Sequence, residues 1–127
     1  EPDLLHEVGR LHIQASDLVV AKSFGTLVLL AYSHQQGSPS RAVFIGTPLK
    51  GYSAQRIELL KVFCRETPSL FIQQTSDFNG SYAEVAAAVG DCAAAELVEI
   101  PGGDHVYADT SELATIIERW WSNFADG

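Results

Sequence analysis

The sequence predicts an α/β fold, a parallel sheet of about four strands with helices on both faces. Three observations lead there. Short apolar runs alternate with stretches of helical period in the order αβαβαβαβα. The runs lack the polar alternation of a half-solvated strand, as burial on both faces requires. Each run also closes on a polar or glycine-rich turn, where a strand would hand over to a helix.

Taken in order, Pro2 to Leu11 sets Leu4, Val8 and Leu11 at helical spacing, and Ser16-Asp17 breaks the pattern before the first strand, Leu18 to Ala21. Gly25 to Gln36 is apolar nearly all round through Ala31, the pattern of a helix packed centrally on a sheet. Arg41 to Ile45 is the second strand, ending at Gly46-Thr47-Pro48. Ser53 to Arg65 follows as a helix with Ile57, Leu60 and Cys64 on one face. Leu70 to Gln74 is the third strand. After a loop, Ser81 and Glu84 have the spacing of a capping box, in which hydroxyl and carboxylate satisfy each other's free backbone donors, so a helix runs to about Val89. Leu97 to Ile100 is the fourth strand. Asp109-Thr110-Ser111-Glu112 caps a last helix with Leu113, Ile116, Ile117, Trp120 and Phe124 in one apolar stripe; Trp120 and Trp121 are expected to pack this helix rather than stack a ligand.

The chain has 127 residues, enough for one domain, 1–127, with a core of its own. Its net charge of −8, with eight scattered basic residues, excludes a phosphate-binding footprint, so no nucleic acid and no membrane surface is expected as a partner. The apolar stretch Leu18 to Tyr32 is broken by Lys22, Ser23 and Gly25 and is too short to span a bilayer. Cys64 and Cys92 fall in stretches read as helical and show no metal spacing. They are read as free thiols, which fits a reducing compartment and a cytoplasmic location. His6 and His12, six apart on a helix, face different ways and do not make a metal pair.

In an open parallel sheet, chemistry sits just past the carboxyl ends of the strands, after Ala21, Ile45, Gln74 and Ile100. The first such segment, Ala21-Lys22-Ser23-Phe24-Gly25, places a serine on a strand-to-helix turn with small residues two positions away on each side. The tight turn of a nucleophile elbow needs that pattern, and the following helix turns its positive end toward the serine. Alone, a serine capping a buried helix would explain it. The third segment, Ser76-Asp77-Phe78-Asn79-Gly80-Ser81, offers an acid, which alone reads as a turn aspartate. The fourth, Gly102-Gly103-Asp104-His105-Val106-Tyr107, offers a histidine on a glycine-rich turn, which alone reads as a solvated loop residue. Together, Ser, Asp and His occur in that chain order at the ends of three different strands, and coincidence becomes the weaker reading.

On those three segments the chain resembles the α/β-hydrolase family, as a small, lidless serine hydrolase, over nearly its whole length. The resemblance implies that Ser23 attacks an acyl carbon, His105 takes and returns the proton, and Asp77 fixes the imidazole tautomer. The backbone N–H of Phe24 would serve the oxyanion, and no cofactor or metal is implied. Leu49, Tyr52, Phe78, Val106 and Tyr107, with Phe24, are expected to line the pocket, whose apolar character suits a small uncharged acyl or ester substrate. An acyltransferase or peptidase could use the same triad, and a non-catalytic binding module could share the fold.

Members of the family carry strands before the elbow, and the loop after one of them supplies a second oxyanion donor. Here the sequence starts at the helix before the nucleophile strand. The chain therefore reads as the C-terminal part of such a fold. A Leu-Val-Val-Ala strand has nothing to discourage pairing, so its free edge is expected to be covered, by a second copy of the chain or by N-terminal strands of a longer protein.

Overall fold

A computed structural model describes residues 18–125. The expected helix over Pro2 to Leu11, with His6 and His12, lies outside the described residues. The elements are β1 (Leu18–Lys22), α1 (Phe24–Gln36), β2 (Arg41–Ile45), a 3-10 turn (Leu49–Gly51), α2 (Ala54–Glu66), β3 (Ser69–Gln74), α3 (Tyr82–Val89), β4 (Ala95–Ile100) and α4 (Thr110–Ala125). The strands form one sheet in the order β1-β2-β3-β4, every pair parallel. This is the α/β architecture expected. β4 starts two residues earlier than expected, because Ala95 pairs with Ser69 although Ala-Glu carries no strong apolar signal.

With right-handed crossovers, strands in sequential order send every intervening helix to the same face. One face accordingly packs Ala21, Ala42, Phe44 and Phe71 against Leu27, Leu30, Leu60, Phe63, Val85 and Val89 of α1, α2 and α3. The other face packs Val43, Ile45, Leu70, Ile72 and Ile100 against α4 through Leu113 and Trp120. Phe44 anchors the first layer, stacked on Phe71 at 4.7 Å and edge-on to Phe63 at 5.5 Å; aromatic truncation there would cost about 3–5 kcal/mol. Trp120 is buried as expected. Trp121 is instead part-exposed beneath the Arg41 guanidinium, which lies 4.4 Å from its ring centre and 4.2 Å from that of Phe124. That contact ties α4 to the start of β2.

Cys64 lies on α2 as expected, but Cys92 lies beyond α3, in the turn before β4. Both are free and buried, and both thiols donate to the Lys61 carbonyl. Burial pushes the Cys64 thiol up, so it stays protonated. Among the described residues no helix is long and apolar enough to cross a membrane.

One offset in the sheet prepares the site. β2 ends at Ile45, opposite Ile72, whereas β3 runs two residues further, pairing Gln73 and Gln74 with Glu99 and Ile100 of β4. The two glutamines therefore stand beside loops, not a strand, on the β2 side. Successive side chains of a strand point to opposite faces, so each glutamine reaches a different set of loops.

Candidate active site

Ser23 follows β1 and precedes the first residue of α1. Its backbone is at φ 52°, ψ −119°, the strained geometry an elbow requires. Its N–H still bonds Ile45 O at 2.9 Å, and the Thr26 N–H and hydroxyl both return to Ser23 O, which closes the turn tightly. A Cβ placed on Gly25 would meet only the Ala21 Cβ, at 3.9 Å, an ordinary contact. Alanine in the first small position is therefore accommodated. As the first residue of α1, Phe24 carries an N–H that no helix carbonyl can accept.

His105 brings the other two groups to the serine. Its Nε2 is 2.7 Å from Ser23 Oγ, and its Nδ1 is 2.7 Å from Asp77 Oδ2. The same Oδ2 accepts the Tyr107 hydroxyl at 2.7 Å, and Oδ1 accepts the Asn79 N–H at 2.8 Å. A carboxylate that accepts on both oxygens leaves the imidazole proton on Nδ1, so Nε2 is free to accept from the serine. Asp77 is only 2% exposed and His105 is part-buried, so these bonds sit in a poorly screened environment.

The loop that carries His105 is held from below. Gln74 Oε1 accepts the His105 N–H at 2.9 Å, while its Nε2 donates to Asp104 Oδ1, also at 2.9 Å. Asp104 Oδ1 takes the Val106 N–H as well, and the Lys22 ammonium, next in sequence to the serine, donates to Val106 O at 2.7 Å. These contacts hold a turn in which both His105 (φ 63°) and Tyr107 (φ 54°) are left-handed. The Val106 N–H, then Gln74, keep the Asp104 carboxyl below its ordinary value, so it stays charged at neutral pH. Gln73 serves the other side: Oε1 accepts the Thr47 N–H, and Nε2 donates to Thr47 O and Gly80 O. It thereby joins the loop after β2 to the loop that carries Asp77.

The expected pocket divides. Phe78 and Val106 are 59% and 52% exposed beside the relay, with Phe78 edge-on to His105 at 5.7 Å. Phe24 and Leu49 are half-buried against the core. Tyr52 and Tyr107, expected to line the pocket, do not. Tyr52 is buried with its hydroxyl on Thr26 Oγ1, and Tyr107 is buried with its hydroxyl on Asp77. In each case a buried polar partner claims the phenol and turns it inward. Among the described residues no group of three or more His, Cys, Asp and Glu side chains gathers in a way that could hold a metal ion. Comparison with family models, with curated proteins and with solved structures finds no match.

The sequence reading missed Gln73, Gln74 and the inward role of Tyr107. A signal for the glutamines was present: two amides close an otherwise apolar strand, Leu70-Phe71-Ile72. Buried amides must find partners, and at a strand end only the loops can supply them.

Proposed function

We propose that the chain is a serine hydrolase acting on an ester or related acyl substrate. The observation that carries this reading is the unbroken relay from Ser23 Oγ through His105 to buried Asp77, each link 2.7 Å. In the proposed cycle His105 Nε2 takes the serine proton as Oγ bonds to the acyl carbon. The resulting oxyanion lies at the start of α1, where the Phe24 N–H and the helix dipole favour negative charge. The imidazolium, stabilised by Asp77, then returns the proton to the leaving group as the bond to it breaks. Water attacks the acyl-enzyme by the same route and restores the serine. Phe78 and Val106 give the acyl group an apolar flank. Cys64 and Cys92, buried and in no disulfide, fit a placement in the cytoplasm.

A second oxyanion donor does not come from the loop after β2. The Gly46 N–H bonds Ile72 O, the Thr47 N–H bonds Gln73, and the Leu49 N–H bonds Thr47 O. A site working with one oxyanion donor alone would be slower by about 10²–10³, and the engaged N–H groups of that loop are what a binding module, the rival reading, would equally show. Labelling by a fluorophosphonate separates the two, because only an activated serine reacts. The expected result is one adduct, on Ser23, absent from Ser23→Ala and from His105→Ala. A folded chain that takes no label would overturn the hydrolase reading and leave the binding module as the reading to pursue.

A further inference from the structure

We propose that Tyr107 is a positioning residue of this relay, holding Asp77 against His105 and drawing off part of the carboxylate charge that His105 would otherwise receive. The proposal rests on the hydrolase reading above. The direction of the phenol proton is set by the backbone. The Gln74 N–H donates to the Tyr107 oxygen at 2.7 Å, so the hydroxyl proton is left to point at Asp77 Oδ2. Oδ2 thus carries two donors, Tyr107 and His105 Nδ1, while Asn79 holds Oδ1. Rotation of the carboxylate would break bonds at both oxygens at once.

The ring is placed as firmly as the hydroxyl. It lies over Gly46, where an added Cβ would stand 2.6 Å from Tyr107 Cε1, and it meets the His105 ring edge-on at 5.9 Å. Only glycine at 46, itself at φ 61°, lets the ring come this close. Burial, and the adjoining Asp77 carboxylate, push the phenol well above the usual tyrosine range, so it remains a donor wherever a histidine titrates.

Sharing Oδ2 has a chemical consequence. A carboxylate that already accepts a phenol stabilises an imidazolium less than one facing the imidazole alone, so loss of the phenol would leave Asp77 free to hold a protonated ring more strongly. The other charges nearby are Asp104, on the same loop, and Lys22, at the end of β1. β3 and α4 bring the neutral Gln74 and the apolar Leu113.

The test is the rate of inactivation by a fluorophosphonate as a function of pH, in the unaltered chain and in Tyr107→Phe. The phenyl ring preserves the packing on Gly46 and removes only the hydroxyl. The expected result is a plateau about tenfold lower, with the acid limb moved to higher pH. If the unaltered chain is labelled and Tyr107→Phe matches it in rate and limb, the role of Tyr107 is wrong while the hydrolase reading stands. A lower plateau with an unmoved limb would make Tyr107 a structural residue only, and also overturn the proposal. If the unaltered chain is not labelled, both fall. A measurement independent of the variant's folding is proton NMR of the unaltered chain. A slowly exchanging phenol proton with a nuclear Overhauser contact to the His105 Nδ1 proton is expected there, and its absence overturns the proposal.

Discussion

Ser23 sits in a conformation that costs of order 1–3 kcal/mol and is retained because the turn between β1 and α1 over-determines it. Its hydroxyl contributes one bond, to His105, in a loop with many other anchors. Ser23→Ala is therefore expected to abolish labelling while changing unfolding free energy in urea by no more than about 1 kcal/mol. Gln74 is the opposite case. Gln74→Ala removes the acceptor for the His105 N–H and the donor to Asp104, and should cost about 1–3 kcal/mol in the same assay and slow labelling of a chain whose serine is intact. Ser23, Asp77 and His105 were legible in the sequence, because a polar residue just past an apolar strand stands out against its neighbours. The tyrosines were not. Nothing in Gly-Tyr-Ser or His-Val-Tyr shows that a threonine or a buried aspartate, from elements far along the chain, will take the hydroxyl.

Among the elements, α3 sets where the Asp77 loop ends. Ser81 Oγ accepts the Glu84 N–H at 3.2 Å and Glu84 Oε1 accepts the Ser81 N–H at 3.0 Å, so the helix is capped four residues past Asp77 in a fixed register. Ser81→Ala should cost about 1 kcal/mol, read from the shift in thermal unfolding, with little effect on the relay because Asn79 and Gln73 anchor the loop independently. This box was readable from spacing alone, as was the Asp109 cap of α4, whose Oδ1 accepts the Glu112 N–H. Local rules suffice where both partners lie within one turn. The start of β4 was not readable, since Ala95 is placed by Ser69 across the sheet rather than by its own preference.

At the scale of the molecule, the sequential order leaves β1 at the margin of the described sheet, with Val20 half exposed. In a parallel pair successive N–H groups alternate sides. The Ser23 N–H bonds β2, so those of Val20 and Lys22 point away from it. If that edge is covered in solution, hydrogen exchange at Val20 and Lys22 should be as slow as at Val19 and Ala21. Rapid exchange at these two amides alone would show an open edge. The chain order of the three site residues carries a different implication, one for biosynthesis. The serine emerges from the ribosome first, the aspartate 54 positions later and the histidine last, on a loop that depends on Gln74 of β3 and on the paired end of β4. A nascent chain can fold its first three strands and still have no base beside its serine. The constellation closes only once β4 and the loop after it have been made, so on the hydrolase reading no shorter nascent stretch carries the complete relay.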